Sequence, residues 1–182
     1  MIHKKYNNLD ELLKANLPAK EASNAKSLFE EINKNKEKKF LNKEEFLKIC
    51  MWKSPRPKKY YLMNSEESII KITRELFLTE SELIKIERLT ILKGVSIAVA
   101  SAILTAIDQE KYGIIDIRAW QTLHTYGEVT NKPKGKGFDI EDWMIYLKIL
   151  REKAIKFNTT PRQIEICLFF HHKKIGSGNL YD

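Results

Sequence analysis

Apolar residues recur at spacings of three and four along almost the whole chain, and no stretch alternates apolar and polar residues as a half-buried strand does. The first such run places Leu9, Leu12 and Leu13 on one side of a helix that Asn8 can cap. Later runs predict helices over 96–107, 117–126, 139–157 and 160–173. We therefore expect an all-α fold with eight or nine helices in one domain over residues 1–182, arranged in one lobe or in two.

Local signals indicate where some of these helices begin and where the pattern stops. Two prolines flank Arg56 in the stretch "SPRPKKYYLMN", so we expect no helix to run through it. Asn42 and Ser65 are suitable N-caps for the runs that follow them. Thr79, with Glu82 three residues later, fits a capping box for the next helix. The apolar hexamer "YGIIDI" is too isolated to predict a sheet.

The charge balance of the chain indicates what kind of molecule it binds. The chain has 32 lysines and arginines against 24 acidic residues, a formal net charge of +8. This excess favours an anionic partner, with nucleic acid first, although a lysine-rich composition alone also produces it. No apolar run approaches the roughly 20 residues that cross a bilayer, and no apolar signal core is present at the N-terminus. Cys50 and Cys167 lack the spacing of a metal site, so we expect both to be buried thiols. We further expect a cytoplasmic protein, favoured as a monomer, that has no cofactor and does not bind a membrane.

A glycine turn joins two of the predicted helices. The segment consists of Leu92, Lys93, Gly94, Val95 and Ser96. Gly94 permits a backbone conformation that other residues resist, and Ser96 can cap the next helix. The first amides of a helix lack internal acceptors and lie at the positive end of its dipole, where a phosphate oxygen can bind. The turn is therefore either a contact with a DNA backbone or an ordinary connection between packed helices.

A single aspartate follows an apolar pair further along the chain. Asp116 comes after Ile114 and Ile115 and directly precedes a predicted helix. Aspartate is a favoured N-cap, which is the simplest role at this position. A capping carboxylate held by backbone amides also stays ionised. Beside a bound nucleotide, such an anion can stabilise an oxocarbenium-like sugar or orient a water molecule, so the two roles are compatible.

The segments "LKGVSIAVA" and "YGIIDIRAW" together resemble a known pattern. They look like the helix-hairpin-helix motif and the following aspartate of the DNA glycosylase superfamily, which excises damaged bases. The stretch from "WKSPRP" to "IDIRAW" is also similar to small bacterial proteins related to 8-oxoguanine glycosylases. The clear resemblance covers residues 80–126. It implies a glycosylase-like helical fold, DNA as the partner and Asp116 as the catalytic carboxylate.

The same resemblance assigns further residues and also shows departures. The implied DNA-backbone site consists of Leu92, Lys93, Gly94, Val95, Ser96, Ala98 and Arg118. Within it we expect Leu92 and Val95 to anchor the turn in the core, and Arg118 either contacts phosphate or pairs with a nearby acid. Family members that form a Schiff base carry a lysine where this chain has Ala98, so the resemblance implies a monofunctional enzyme in which water attacks the sugar. Ser96 replaces the usual second glycine of the turn. The four-cysteine loop of some members is absent, so we expect no iron–sulfur cluster.

An enzyme of this kind holds the extruded base in a pocket. The segment "MWKSPRPKKYY" combines aromatic rings for stacking with basic groups for phosphates, although it also suits a solvated basic loop. The candidates for the pocket or groove are Trp52, Lys53, Arg56, Tyr60, Tyr61 and Trp120. Trp120 lies four residues beyond Asp116, outside this segment, and also suits the core.

Three functions remain open from the sequence. The first is a monofunctional DNA glycosylase with Asp116 as its catalytic group. The second is a non-catalytic helix-hairpin-helix DNA-binding protein in which Asp116 only caps a helix. The third is a protein-interaction scaffold whose positive charge is incidental.

Overall fold

The computed structural model describes residues 5–34 and 36–175. All regular secondary structure in those ranges is helical. In chain order the α-helices are α1 (Leu9–Asn16), α2 (Ser23–Asn33), α3 (Lys43–Lys53), α4 (Lys58–Leu62), α5 (Glu66–Glu75), α6 (Glu82–Thr90), α7 (Ile97–Ile107), α8 (Ile117–Tyr126), α9 (Ile140–Lys156) and α10 (Pro161–Ile175). A short 3₁₀ turn, Lys36–Lys38, lies between α2 and α3. The all-α class is confirmed, with ten α-helices in the described ranges rather than eight or nine.

The additional helix is α4, which has five residues and begins directly after Pro57. We expected no helix to run through this stretch, because a proline inside a helix removes a hydrogen bond and clashes with the preceding turn. Pro57 instead lies at the N-terminal boundary of α4. Its missing amide costs nothing there, since the first amides of a helix have no internal acceptor.

Side-chain caps begin several helices at the predicted positions. Asn8, Asn42 and Ser65 each accept a hydrogen bond from the amide three residues further on. At Asn42 the bond is part of a complete capping box, because the Glu45 side chain accepts a hydrogen bond from the Asn42 amide in return. These predictions are confirmed because capping depends on residues only three positions apart.

The capping box expected at Thr79 is wrong. Helix α6 begins at Glu82, and its N-cap is Ser81, whose hydroxyl oxygen accepts a hydrogen bond from the amide of Ile84 at 3.3 Å. The hydroxyl oxygen of Thr79 instead accepts a hydrogen bond from the Ser81 amide at 3.1 Å. Two hydroxyl residues two positions apart offer competing starts, and the apolar spacing does not choose between them.

Helix α7 is the central element of the fold and contacts α2, α3, α6 and α9. Every residue from Val99 to Ala106 is buried, so this helix is covered on all sides. Its hydroxyl groups are satisfied locally, since Thr105 donates to the carbonyl of Ser101 and Ser101 donates to the carbonyl of Ala98. Small side chains along α7 allow the neighbouring helices to approach closely.

The segment between α7 and α8 is buried without pairing as a strand. The amide of Ile115 donates to the hydroxyl oxygen of Ser101 on α7 at 3.1 Å. The hydroxyl of Tyr146 on α9 donates to the carbonyl of Ile114 at 3.0 Å. A Cβ atom at Gly113 would lie 2.5 Å from a leucine side chain on α9, so the loop approaches that helix as closely as glycine allows. Contacts with α7 and α9 therefore fix the position of the loop that leads into α8.

Three further features of the described ranges are relevant to the site. Cys50 and Cys167 are buried free thiols, as expected. No cluster of three or more histidine, cysteine, aspartate or glutamate residues in these ranges is arranged to hold a metal ion. No helix in the same ranges is both long and apolar enough to cross a membrane.

Candidate active site

Asp116 lies at the start of α8 and uses its two carboxylate oxygens for different partners. Oδ1 accepts a hydrogen bond from the amide of Arg118 at 2.9 Å, which caps the helix. Oδ2 accepts one from Nζ of Lys53, also at 2.9 Å. Since Lys53 is the last residue of α3, this ion pair joins the end of one helix to the start of another. The Lys53 and Asp116 side chains are 13% and 24% exposed, so the pair is shielded but accessible.

The surroundings of Asp116 keep its carboxyl group ionised. Burial alone raises the pKa of a carboxyl group, because the charged form loses hydration. The Lys53 ammonium group, the Arg118 amide and the Arg118 charge together outweigh this effect and hold the pKa of Asp116 below its ordinary value. At neutral pH, Asp116 is therefore a carboxylate balanced by one neighbouring amine.

A cavity of about 300 Å³ opens beside this ion pair, at the lower end of the roughly 300–1,000 Å³ range of small-molecule sites. It lies between the start of α2, the end of α3, the loop before α8 and one face of α10. The half-buried rings of Trp52, Phe169 and Phe170 contribute to its lining. Aromatic surface and an anionic group therefore meet in one recess.

A network of charged side chains completes the lining of this cavity. Arg162 donates from Nε and Nη2 to the two carboxylate oxygens of Glu21, at 2.9 and 2.7 Å, and from Nη1 to Glu165. A second interaction links Glu165 to the amide of Ile114, 3.5 Å away. Burial raises the pKa of Glu165, although Arg162 opposes the shift. Arg162 and Glu165 are themselves buried and paired, so this network holds the wall of the cavity in place.

The turn between α6 and α7 is held tightly from its inner side. Gly94 has a φ of +84°, which favours glycine, and a Cβ atom there would lie 2.9 Å from Cδ1 of Tyr61 and 3.0 Å from Cβ of Tyr60. The side-chain oxygen of Asn64 accepts a hydrogen bond from the amide of Lys93 at 2.8 Å, and its nitrogen donates to the Lys93 carbonyl at 3.0 Å. Both interactions attach the turn to α4 and the residues that follow it.

The outer side of the same turn is accessible. Leu92 and Val95 are buried and anchor the turn in the core, whereas the side chains of Lys93 and Ser96 are exposed. The hydroxyl oxygen of Ser96 caps α7 by accepting a hydrogen bond from the Val99 amide at 3.4 Å. Within the turn, Leu92 and Val95 are therefore anchors, as expected, and any side-chain contact of the turn with a phosphate would come from Lys93 or Ser96.

Helix α4 links this turn to the cavity. The Tyr61 ring contacts the position of Gly94 on one side. On the other side, the Tyr61 hydroxyl donates to the carbonyl of Ser54 at 3.1 Å, and Ser54 directly follows Lys53. The turn and the amine of the ion pair are thus attached to the same short helix.

The structure divides the six predicted pocket or groove residues. Trp52 and Lys53 line the cavity, and Arg56 and Tyr60 are exposed outside it. Tyr61 and Trp120 are fully buried.

The pocket or groove role is therefore wrong for Tyr61, and for Trp120 the alternative of a core residue is confirmed. Tyr61 is enclosed between Gly94 and α3, and Trp120 donates from its indole nitrogen to the carbonyl of Asn131 at 3.3 Å while packing against Phe138. Neither ring presents a face on which a base could stack. The aromatic residue type predicted stacking capacity, but the packing of the helices decides which rings remain accessible.

Arg118 is also engaged within the protein. Its Nη1 atom lies 3.3 Å from Nδ1 of His172, and its guanidinium group lies 5.8 Å from the centre of the Phe169 ring. These contacts attach α8 to α10 beside the cavity. Ala98, at the position of the lysine in Schiff-base-forming family members, is half-buried on α7.

Sequence reasoning missed the cavity residues on α10. Arg162, Glu165 and Phe169 recur at spacings of three and four, which places them on one face of the helix. The available signal was the presence of charged residues on the same helix face as an aromatic ring. This signal does not reveal that Asp116 lines the same cavity as that face.

Comparisons of the chain with protein-family models, curated proteins and solved structures find no match.

Proposed function

We propose that this chain is a DNA glycosylase that hydrolyses the N-glycosidic bond of a modified base. The observation that carries the proposal is the ionised Asp116 carboxylate, which lines an accessible cavity with aromatic walls. The cavity receives the base after its nucleotide has been turned out of the duplex. The carboxylate then acts on the sugar to which the base is attached.

The cavity lining suits a heteroaromatic guest. Trp52, Phe169 and Phe170 provide apolar ring surface against which a flat base can pack. The charged network of Glu21, Arg162 and Glu165 borders the same cavity and gives it a polar side that the polar edge of the base can face. A base that fits both sets of groups gains more from entering the cavity than one that fits only the rings.

Asp116 carries the chemical step in this proposal. Cleavage between the base and C1′ leaves positive charge on the sugar ring in the transition state. A fixed anion stabilises this charge without having to reorganise during the reaction. The same oxygens can orient a water molecule toward C1′. Since Ala98 provides no amine on α7, water completes the hydrolysis.

DNA would lie across the turn and α4. Lys93 in the turn and Lys58 and Lys59 on α4 are exposed. The contact of Tyr61 with Gly94 brings these two elements together. Lysines on such a surface neutralise phosphates and release counterions, which makes the binding sequence-independent and salt-dependent.

The test is a panel of duplexes that each contain one oxidised, alkylated, deaminated or otherwise modified base. Alkali after incubation with the full chain converts abasic sites to strand breaks that a denaturing gel resolves. Asp116→Asn is the matched variant, because asparagine also caps helices but carries no charge. We expect it to lower the rate of base release by about 10²–10³, the scale for one electrostatic group, with DNA affinity unchanged or higher.

The contacts of Asp116 also fit a second function, that of a non-catalytic DNA-binding protein. Asp116 caps α8 through Oδ1, and its Oδ2 atom is already paired with Lys53, so both oxygens have structural partners. The chain would then be a non-catalytic DNA-binding protein. Wild-type protein that binds every duplex but releases no base from any of them would contradict the glycosylase proposal and support this alternative.

A further inference from the structure

A second cavity, of about 580 Å³, lies next to the first and is within the roughly 300–1,000 Å³ range of small-molecule sites. Glu21, Ala22 and Phe170 line both cavities, so the two share part of a wall. The rest of the second cavity is formed by the end of α1, the loop from α1 to α2, the start of α2 and the C-terminal half of α10. Asp116 does not line it, so this cavity can bind a group without taking part in the chemical step.

Contacts with α10 hold the loop side of the second cavity in place. The amide of Ala19 donates to Oε1 of Gln163 at 2.9 Å. Arg162 donates to both carboxylate oxygens of Glu21, at 2.9 and 2.7 Å. Gln163 and Arg162 are consecutive residues of α10, so the loop is attached to this helix on both sides of Lys20. The recess is therefore formed before any ligand binds.

Part of the wall of the second cavity is apolar and uncharged. Pro18, Ala19 and Phe170 contribute apolar surface. Burial, together with nearby positive charges, lowers the pKa of His171 to about 4, so its ring is neutral at pH 7. Burial also raises the pKa of Cys167 to about 12, so its thiol stays protonated. Such a wall accommodates a flat, uncharged ring.

The positive charge of the second cavity is mostly unpaired among the described residues. Lys20, Lys26 and Lys174 line the cavity and are exposed. Neither Lys20 nor Lys174 forms an ion pair with another described residue, and Nζ of Lys26 lies 3.9 Å from a carboxylate oxygen of Glu30. Of the described lining residues only Glu21 is acidic, and α10 already binds its carboxylate. In the first cavity, by contrast, every charged side chain is paired with another. The second cavity therefore attracts an anion.

A flat ring joined to an anion describes a nucleotide. Consecutive nucleotides of a strand are linked by one phosphodiester, so neighbouring cavities suit neighbouring nucleotides. We propose that the second cavity binds the nucleotide next to the extruded one, with its base against Phe170 and its phosphate at Lys20 and Lys174. This inference rests on the proposed function, because the first cavity must hold the extruded nucleotide. The preferred substrate is then DNA in which the neighbour of the modified base is also unpaired.

The experiment measures how unpaired nucleotides affect DNA binding, and it does not depend on base release. Turning a base out of a duplex costs least where the base is mismatched. Three otherwise identical duplexes contain no mismatch, one thymine–thymine mismatch or two adjacent ones, and fluorescence anisotropy measures their affinity for the full chain. We expect the second mismatch to tighten binding by about tenfold beyond the first, because a second base then enters its cavity at little cost.

Two variants test whether this gain arises in the second cavity. Ala19→Trp places an indole ring in the space for the base, since Ala19 lines the second cavity and not the first. Lys20→Ala combined with Lys174→Ala removes the ammonium groups, and both lysines are exposed. Each variant should retain the gain from the first mismatch and lose most of the gain from the second.

The matched control combines Lys71→Ala with Lys148→Ala. These exposed lysines lie on α5 and α9, outside both cavities, and their loss changes the net charge by the same amount. The control should keep the gains from both mismatches. Thermal melting of all variants checks that they remain folded.

The outcomes separate this inference from the glycosylase proposal. A gain from the second mismatch that both cavity variants remove supports the inference, whether or not any modified duplex loses its base. A second mismatch that adds nothing, or a gain that either variant keeps, overturns the inference, while base release alone decides the glycosylase proposal.

Free thymidine monophosphate distinguishes a strand from a free nucleotide as the occupant. A nucleotide held in the bound strand reaches the cavity at a millimolar effective concentration. We therefore expect micromolar thymidine monophosphate to leave the gain from the second mismatch unchanged. Loss of the gain at that concentration would mean that the cavity binds a free nucleotide, which overturns the inference.

Discussion

The starts of α7 and α8 are built alike but have different surroundings. Each helix begins at a side-chain cap, Ser96 or Asp116, and each follows a segment of buried apolar residues. At the start of α7, the side chain of Asn64 binds both backbone groups of Lys93 and attaches the turn to the core. At the start of α8, the capping residue has a second oxygen, which pairs with Lys53 beside a cavity.

The difference shows what turns a helix cap into a candidate site. A serine cap has one oxygen and no charge, so capping uses its functional group. An aspartate cap retains one oxygen and a full negative charge after capping is satisfied. The surplus is useful for chemistry only where a cavity lies beside it, which is the case at α8. Three predictions test this contrast between the turn at Gly94, which packs against the core, and the cap at Asp116, which lines a cavity.

The largest expected effect concerns the packing of the turn. Gly94→Ala should lower the free energy of unfolding by about 3 kcal/mol, because it adds positive-φ strain to a clash with Tyr61. Gly127→Ala is the matched control, since Gly127 has a φ of +80° but no atom within 4 Å of an added Cβ. It should cost about 1 kcal/mol, the strain alone. Urea denaturation measures both, and equal losses would contradict tight packing at Gly94.

The next effect concerns the charge of Asp116. Its folded pKa lies below the ordinary value, so the ionised form stabilises the fold above about pH 4, and this contribution is lost as the pH falls through the folded pKa. Asp116→Asn removes the charge but can keep the cap. Its unfolding free energy should be about 1 kcal/mol below that of wild type at neutral pH, and the two should converge in acid.

Asp116→Ala extends this test because it removes the cap as well as the charge. We expect it to remain less stable than wild type in acid by about 1 kcal/mol, the scale of a lost N-cap. Denaturant unfolding at several pH values measures the three proteins together. A pH-independent difference between wild type and Asp116→Asn would mean that the charge does not contribute.

The smallest effect concerns DNA contact at the turn. Substitution of Gly94 is a poor test of binding, since it also disturbs the fold, whereas the side chain of Lys93 is exposed. Lys93→Ala should weaken binding to all sequences alike and reduce the salt slope of the binding constant by about one. Asp116→Asn should leave that slope unchanged. Titrations by fluorescence anisotropy at several salt concentrations measure the slope, and an unaltered slope for Lys93→Ala would exclude this lysine from the proposed DNA contact.

Much of the helical layout was predictable because its determinants are local. The helices expected at 96–107 and 117–126 are found as α7 and α8, at Ile97–Ile107 and Ile117–Tyr126. Apolar spacing and capping act between residues three or four positions apart, so both can be recognised from the sequence alone. The error at Thr79 arose where two hydroxyl residues competed for the same cap, and the short helix α4 was missed because proline was expected to interrupt it.

The sequence by itself determined the helical class, most helix starts and the identity of Asp116 as a capping acid, because each depends on neighbours along the chain. Only the tertiary structure decided which groups share the cavity. Lys53 is 63 positions from its partner Asp116, and Phe169 arrives from the last helix described. It also buried Trp120 and Tyr61, which residue type alone had made candidates. The physical reason is that helix packing is set by many weak contacts between distant segments, and no local pattern specifies their sum.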